Sequence, residues 1–208
     1  MMSWTVVIPV KRLDTAKSRL GAADDPRRPE LALAFARDVI DACRATSSVG
    51  AVIVVTDDED VVAQTSGVTI CPEPTPGSLN EAILEGATRT DGPLVAIAGD
   101  LPCLTPAALE FVLDLASANP RSLLSDAQGT GTAMLFAMSA RELKPQFGVG
   151  SRSAHVQAGY VDLALESAGD IRALLAGARR DVDTPADLWD ARRIGVGTHT
   201  AAILGSHA

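Results

Sequence analysis

Short runs of apolar, mostly β-branched residues alternate along this chain with longer segments in which apolar residues recur at helical spacing. The clearest runs are WTVVIPV at 4–10, AVIVVT at 51–56 and LVAIA at 94–98. Such continuous runs indicate strands buried on both faces, because a strand with one solvent-facing side alternates apolar with polar residues. Strands of this kind separated by helices predict a Rossmann-like α/β domain, with a mostly parallel, mixed sheet and helices on both faces.

The alternation divides the chain into a series of predicted elements. The predicted strands cover 4–10, 51–56, 68–71, 94–98, 122–126, 133–138 and 161–165. The predicted helices cover 29–45, 57–65, 80–89, 105–118 and 184–193. We therefore expect one domain over residues 1–194 and a flexible C-terminal tail over 195–208, where small residues dominate.

Charge and residue usage argue against several classes of protein. The net charge of −8 at pH 7 opposes binding to nucleic acid through a broad basic face. No apolar run approaches the roughly 20 residues that span a membrane, and no signal peptide is recognisable, so we expect a cytoplasmic protein. The three cysteines and three histidines have no ligand spacing, which disfavours a disulfide framework or a zinc site.

A cationic stretch, KRLDTAKSR, follows the first predicted strand. It holds Lys11, Arg12, Lys17 and Arg19 against the single acid Asp14. Because ligands of such folds bind beyond the carboxyl ends of the strands, this stretch could concentrate positive potential on a small anionic ligand. A solvated, charged surface is the alternative interpretation, and charge alone favours neither.

Three aspartates lie where a divalent cation could bind. Asp100 directly follows a buried strand and a glycine, and Asp181 and Asp183 alternate, so that both point to one face of an extended segment. Magnesium prefers oxygen ligands and typically takes one or two carboxylates together with substrate phosphates and water. Structural alternatives exist, because Asp183 could cap the helix that follows it and Asp100 could be a helix cap or a turn acid.

Two glycine-rich segments, GTGTA and FGVGSRSAH, could bind an anion through backbone N–H groups. Their glycines are Gly129, Gly131, Gly148 and Gly150. Thr132 and Ser151 could add hydroxyl donors. Neither segment is a P-loop or a dinucleotide-binding fingerprint, so each taken alone is better interpreted as an ordinary turn.

Five motifs together give the chain a family resemblance. IPVKRLDTAKSRL, GDLPCLTP, GTGTAML, FGVGSRSAHV and DVDTPADL occur in this order between Val7 and Leu188. They resemble the 2-phospho-L-lactate / phosphoenolpyruvate guanylyltransferases, which serve the biosynthesis of the deazaflavin coenzyme F-420. GDLP by itself is shared with a wider group of sugar-nucleotide and molybdopterin nucleotidyltransferases. The resemblance implies the nucleotidyltransferase variant of the Rossmann-like fold.

The resemblance also implies a role for each matching residue. The implied magnesium ligands are Asp100, Asp181 and Asp183. The implied contacts to the phosphorylated acid are Thr132, Gly148 and Ser151. The implied nucleotide contacts are Lys11, Arg12, Lys17, Asn80 and Gly99. The implied catalytic groups are Lys11, Lys17 and Asp100, with Arg19 as a further cation facing the pyrophosphate.

The implied reaction is transfer of GMP from GTP to phosphoenolpyruvate or 2-phospho-L-lactate, with Mg²⁺ as cofactor and pyrophosphate as the second product. No general base is required, because the acceptor phosphate has a second pKa of about 6 and is already largely ionised. The alternatives are a nucleotidyltransferase for a molybdopterin or a sugar phosphate, and a non-catalytic nucleotide-binding domain. A transient contact with the downstream transferase and a homo-oligomer are both compatible with the resemblance.

Overall fold

A seven-stranded sheet forms the centre of the molecule. The computed structural model describes residues 3–14, 16–17, 19–20, 25, 27–75, 77–164 and 170–205. The strands are β1 (Trp4–Pro9), β2 (Val49–Val55), β3 (Thr69–Cys71), β4 (Leu94–Ile97), β5 (Arg121–Ser125), β6 (Thr132–Ala137) and β7 (Val161–Asp162). Their order across the sheet is β3-β2-β1-β4-β6-β5-β7.

Strand β6 runs opposite to the other strands of this sheet. Strands β1 to β4 pair in parallel, β6 is antiparallel to both β4 and β5, and β7 is parallel to β5. The amino end of β6 therefore lies at the edge of the sheet where the other strands have their carboxyl ends. The predicted mostly parallel, mixed sheet is confirmed.

Helices cover both faces of the sheet. They are α1 (Arg27–Arg44), α2 (Glu59–Gln64), α3 (Leu79–Ala87), α4 (Pro106–Ser117), α5 (Ser151–Gln157), α6 (Asp170–Arg179), α7 (Pro185–Ile194) and α8 (Thr198–Gly205). Alternate residues of β1 belong to two different core clusters: Val6 and Ile8 pack with α1 and α4, and Val7 packs with α3. Burial of each apolar side chain of this kind stabilises the folded state by about 1.5–3 kcal/mol relative to its exposure to water. Within the described part of the chain, no helix is long and apolar enough to cross a membrane.

Local capping signals place two of the predicted helices. At α4, the side chain of Thr105 accepts a hydrogen bond from the backbone of Ala108, and Pro106 occupies the first turn, where its missing N–H costs nothing. At α7, Thr184 and Asp187 form a capping box. The alternative role of Asp183 as a helix cap is therefore wrong, because Thr184 holds that position.

The segment after 195 differs from the flexible tail that the sequence suggested. Helix α8 packs on α1, where Val196, Ile203 and Leu204 join an apolar cluster. The buried carboxylate of Asp38 on α1 accepts the backbone N–H groups of His199 and Thr200 at 2.9 and 3.0 Å. These N–H groups belong to the first turn of α8 and have no partner within the helix, so a distant aspartate satisfies them. Helices α5 and α6 also had no counterpart among the predicted helices.

Candidate active site

A cavity of about 320 Å³ opens at the edge where the parallel strands have their carboxyl ends. The segment after β1 lines it with Val10 and Lys11, and the end of β4 contributes Gly99 and Asp100. Phe147 closes another side. The position agrees with the rule that ligands of open α/β sheets bind beyond the carboxyl ends of the strands.

Lys17 joins two of the predicted metal ligands in one ion cluster. Its Nζ donates to Oδ2 of Asp100 at 2.6 Å and to Oδ1 of Asp183 at 2.7 Å. Only 10% of the Lys17 side chain is exposed. Burial lowers the pKa of this ammonium, but the attraction of Asp100 and Asp183 outweighs burial and leaves the pKa above its ordinary value. Lys17 is therefore charged at neutral pH.

The backbone that carries Lys17 is held from α1. Lys17 has a left-handed φ of 54°, which a residue other than glycine adopts at an energetic cost. The buried guanidinium of Arg28 donates to the carbonyl oxygens of Lys17 and Ala16 at 3.0 and 2.8 Å. Farther back, Oδ2 of Asp58 accepts the N–H of Leu13 at 2.9 Å. This part of the cationic stretch is therefore anchored.

The other cations of the stretch lie nearer the solvent. Lys11 is exposed and lines the cavity. Arg12 contacts Asp14 at 3.3 Å, and both side chains are more than half exposed. Arg19 is exposed as well. The structure thus brings Lys17 to the carboxylates and Lys11 to the cavity, whereas Arg12 forms a surface ion pair.

Asp181 lies beside Asp100 with a carboxylate that lacks a partner. The N–H of Val182 donates to the carbonyl of Asp100 at 3.1 Å, and Val182 is fully buried, which fixes the extended segment over the end of β4. Within the described residues, Oδ1 of Asp100 and Oδ1 of Asp181 are buried without a hydrogen-bond partner. Burial, followed by the charges of Asp100 and Asp126, raises the pKa of Asp181 to about 7.

Unpaired buried carboxylate oxygens fit a hard divalent cation. A buried acceptor without a partner is costly, and nearby negative charges add to the cost, so a cation would relieve both. Among the described residues, no group of three or more metal-binding side chains is already assembled. The ammonium of Lys17 bonds one oxygen of Asp100 and one of Asp183, and the oxygens left for a cation belong mainly to Asp100 and Asp181.

The GTGT turn binds an anion of its own chain. Both carboxylate oxygens of Asp126 accept backbone hydrogen bonds, from Thr130 at 2.9 Å and from Gly131 at 2.8 Å. A Cβ on Gly131 would lie 2.4 Å from Oδ2 of Asp126, so this position requires glycine. The N–H groups that the sequence suggested for a ligand are therefore used by Asp126 at this turn.

Thr132 lies beside the residue that precedes Asp100, even though Thr132 begins a different strand. The register pairs Ile97 with Met134, and the N–H of Ala98 donates to the carbonyl of Ala133 at 3.1 Å. Continuing this register places Thr132 opposite Gly99. Ser151 also reaches this point, with its Oγ 3.2 Å from Oγ1 of Thr132. The two predicted hydroxyl donors are thus neighbours at the end of β4.

A segment that we call the strap (residues 144–147) leads to Ser151 and is held by side chains from three elements. The N–H of Lys144 donates to the hydroxyl of Tyr160, and the N–H of Gln146 donates to Nε2 of His155. Asn80 accepts the N–H of Phe147 at 2.8 Å and donates to the carbonyl of Phe147 at 3.2 Å. The side chain of Asn80 is therefore a clamp on the strap, and its predicted contact with the nucleotide stays a prediction.

Two glycines in left-handed conformations follow the strap. Gly148 has a φ of 137° and Gly150 a φ of 71°, and a Cβ at either would meet nothing within 4 Å. Val149 between them is fully exposed, whereas Ser151 is buried at the start of α5. The glycines therefore serve the path of the backbone, which turns sharply to bring Ser151 to Thr132.

The cysteines and the histidine considered below are poorly suited to act as nucleophiles or bases. Burial raises the pKa of the Cys43 thiol far above its usual range and that of Cys103 to about 12. His155 is fully buried, and burial lowers its pKa to about 4. The described residues that surround the cavity can hold charge and donate hydrogen bonds. Such a site suits a reaction in which one substrate attacks the other.

Sequence reasoning missed the residues that support this arrangement, Arg28, His155 and Tyr160. Each acts on backbone or on another side chain far along the chain, so no local motif marks it. The available signals were an arginine directly before a predicted helix and a histidine five residues after the last glycine of a glycine-rich segment.

Comparison with known proteins adds a family model and close relatives. Residues 4–205 match the model of the family described as "Guanylyl transferase CofC like". The phosphoenolpyruvate guanylyltransferase of Streptomyces coelicolor is 44% identical, over 97% of this chain and 96% of that protein. The phosphoenolpyruvate guanylyltransferase of Salinispora arenicola is also 44% identical, over 99% of this chain and 95% of that protein.

Solved structures share the fold at low sequence identity. Rv0371c of Mycobacterium tuberculosis H37Rv is 19% identical with a TM-score of 0.61, over 92% of this chain and 98% of that one. The same protein in complex with manganese is 20% identical with a TM-score of 0.59, over 93% of this chain and 98% of that one. A 4-diphosphocytidyl-2C-methyl-D-erythritol synthase from Anaerococcus prevotii is 10% identical with a TM-score of 0.54, over 92% of this chain and 95% of that one. At these identities the likeness establishes the architecture alone.

Proposed function

The chain belongs to the guanylyl transferase CofC-like family and is a nucleotidyltransferase, and we propose that it transfers GMP from GTP to phosphoenolpyruvate. The relatives that carry this activity in their names match nearly the whole chain. The observation that most supports the proposal is the ion cluster of Lys17, Asp100 and Asp183 in the lining of the cavity, together with the buried, unpaired oxygens of Asp100 and Asp181.

The proposed reaction is an in-line displacement at the α-phosphorus of GTP. An ionised phosphate oxygen of the acceptor forms the new P–O bond, and the bond between the α-phosphorus and the bridging oxygen of pyrophosphate breaks. No proton has to be removed, since a phosphate monoester has a second pKa of about 6. This agrees with a site whose described residues offer charge and hydrogen-bond donors.

Each part of the site has a role in this proposal. Lys17 holds the carboxylates and faces the phosphates, and Lys11 reaches the same cavity. Thr132 and Ser151 contact the acid through their paired hydroxyls. We propose Mg²⁺, held by Asp100 and Asp181 with Asp183 nearby, as the cation that neutralises phosphate charge when bound.

The acceptor and the nucleotide base are the finer parts of the proposal. Phosphoenolpyruvate has the support of the relatives' names, and 2-phospho-L-lactate is the second acceptor because the motif resemblance covers both. The two acids differ only by a double bond, so the shape of the site decides between them. A place in coenzyme F-420 biosynthesis follows from the same resemblance and belongs to the proposal.

The test is pyrophosphate release with purified protein and Mg²⁺. GTP, ATP and CTP are each combined with phosphoenolpyruvate, 2-phospho-L-lactate or 3-phosphoglycerate. We expect release with GTP and phosphoenolpyruvate, and loss of that release in Asp100→Asn. The matched control is Asp91→Asn, whose side chain is 86% exposed in a surface pair with Arg141. Silence with every combination, or wild-type rates in Asp100→Asn, would reject the proposal.

A further inference from the structure

His155 connects the two segments that carry the proposed acceptor contacts. It is fully buried on α5, and its ring packs edge-on against Phe147 of the strap and against Tyr160, with ring centroids at 5.3 and 5.5 Å. Its Nδ1 lies 2.9 Å from Oγ1 of Thr132, and its Nε2 lies 2.8 Å from the N–H of Gln146. The reaction described above requires no chemistry from this imidazole.

The two contacts determine which ring nitrogen carries the hydrogen. A backbone N–H can only donate, so Nε2 has to accept from Gln146 and cannot carry a hydrogen. A neutral imidazole then has its hydrogen on Nδ1 and donates it to Oγ1 of Thr132. A doubly protonated ring would set two hydrogens against each other at Nε2, and burial lowers the pKa of His155 to about 4, in agreement with a neutral ring.

The tautomer leaves one hydroxyl hydrogen of the pair available. Thr132 Oγ1 accepts from His155, and the 3.2 Å bond between Ser151 and Thr132 uses one of the two hydroxyl hydrogens. The described contacts contain no further acceptor for the second hydroxyl hydrogen. In the opposite tautomer, Nδ1 would accept the hydrogen of Thr132, and Ser151 would use its own within the pair. The pair would then have nothing left to donate to an anion.

We infer that His155 is a positioning residue for the acceptor: its Nδ1–H tautomer leaves the hydroxyl pair of Thr132 and Ser151 with one hydrogen to donate to an oxygen of the acid. Its Nε2 also accepts a hydrogen bond from the strap, and the strap leads to Ser151, which lies beside Thr132. This inference rests on the proposed function for the identity of the ligand. The hydrogen-bond assignment rests on the geometry alone. Among the described contacts, no cationic side chain touches the hydroxyl pair. The hydrogen bond from this pair would therefore select the anion without a positive charge in contact with it.

The first arm of the test reads the tautomer without any substrate. Long-range ¹H–¹⁵N correlation spectra of the full chain, assigned with His155→Asn, report which ring nitrogen is protonated. We expect a protonated Nδ1 and an unprotonated Nε2 that do not change between pH 5 and 8. A protonated Nε2, or titration within that range, would overturn the assignment.

The second arm separates positioning from general support of the fold. His155→Phe keeps a ring but removes both hydrogen bonds, and we expect the KM for phosphoenolpyruvate to rise roughly tenfold or more, the equivalent of one charge-assisted hydrogen bond. The KM for GTP should change by less than about twofold. His155→Asn, whose amide can place a donor near the position of Nδ1, should recover much of the loss.

A matched control loosens the strap without touching the hydroxyl pair. Tyr160→Phe removes the bond to the N–H of Lys144 and should affect the acceptor KM less than His155→Phe does. Equal changes in both KM values for His155→Phe, or no recovery in His155→Asn, would reduce His155 to a structural residue and overturn the inference. If the wild-type protein transfers GMP to none of the three acids, the proposed function fails, while the tautomer spectra still decide the hydrogen-bond assignment.

Discussion

The two halves of the candidate site differ in how far their polar groups are hydrogen-bonded. In the carboxylate half (Lys17, Asp100, Asp181 and Asp183), two buried carboxylate oxygens have no partner among the described residues. In the hydroxyl half (Thr132, Ser151, His155 and the strap), side chains and backbone bond each other in a connected network. The difference teaches that the carboxylate half has acceptors left over for the proposed cation, whereas the hydrogen bonds of the hydroxyl half are largely formed without a ligand.

This contrast agrees with the ligands proposed for each half. Polyphosphate and a divalent cation carry full charges, which require opposing charges and tolerate some rearrangement. A small acid is distinguished by shape and by a few hydrogen bonds, which require donors fixed in advance. Changes in the carboxylate half should therefore act on turnover, and changes in the hydroxyl half on the KM for the acceptor.

The largest expected effect comes from removing the ammonium group of Lys17 in the carboxylate half. We expect Lys17→Met to lower kcat/KM for GMP transfer by about a hundred- to a thousandfold, as for the loss of a preorganised charge at a reaction centre. Lys144→Met makes the same substitution at an exposed position on the strap and should leave kcat/KM near the wild-type value. Steady-state pyrophosphate release measures both. Similar losses in the two variants would contradict the division of roles.

The pH dependence of stability should reveal the buried imidazole of the hydroxyl half. The pKa of His155 falls from 6.5 to about 4 on burial, so between these values the folded state binds fewer protons than the unfolded state. The contribution of His155 to the free energy of unfolding should therefore rise from pH 4 to pH 6.5 and level off above it, at a total on the order of 3 kcal/mol, whereas the raised pKa of Asp181 acts in the opposite direction in both wild type and variant. Urea titrations at several pH values should give a shallower rise for His155→Asn. Parallel curves would contradict a buried neutral ring.

Releasing the strap should have a smaller effect, and one specific to the acceptor. Asn80→Ala removes both hydrogen bonds to Phe147, and we expect the KM for phosphoenolpyruvate to rise about three- to tenfold because the strap loses its alignment. The same variant tests the predicted nucleotide contact of Asn80. A larger rise in the KM for GTP would favour that contact and would break the assignment of the strap to the acceptor side.

The smallest effect is expected at the tip that follows the strap. Val149 is fully exposed between two left-handed glycines, so Val149→Ser should change the free energy of unfolding by less than about 0.5 kcal/mol. Both KM values should also stay as they are. A selective rise in the KM for the acceptor would mean that the tip closes over the bound acid, and the hydroxyl half would then be less complete than its contacts indicate.

The elements that the sequence predicts well are those with local causes. Apolar runs predict β1, β2 and β4, because strands buried on both faces need no polar residues. Thr105 and Pro106 mark the start of α4 because capping depends on adjacent residues. Asp100 is found for the same reason, since a carboxylate directly after a buried strand of such a sheet has to lie at the edge that binds ligands.

The features that escaped prediction depend on partners far away in sequence. Helix α8 begins where Asp38 accepts its first N–H groups across more than 160 residues. The clamp of Asn80 on Phe147 spans 67 residues. The sequence leaves a ligand as one candidate for the N–H groups of the GTGT turn, because nothing in the turn itself indicates that the carboxylate of Asp126 accepts them. Composition and spacing hold no information on such pairings, which only packing decides.

The reversed direction of β6 has a consequence for the order of assembly. Because β6 returns beside β5, the turn that precedes Thr132 closes within a hairpin, and the bonds from Asp126 to it span only four and five residues. The contact between Lys17 and Asp183 instead closes a loop of 166 residues, which costs more chain entropy and forms later. During folding, the turn that leads to Thr132 should therefore be in place before Lys17 meets Asp183, so an incompletely folded chain should lack the carboxylate cluster proposed to bind the cation.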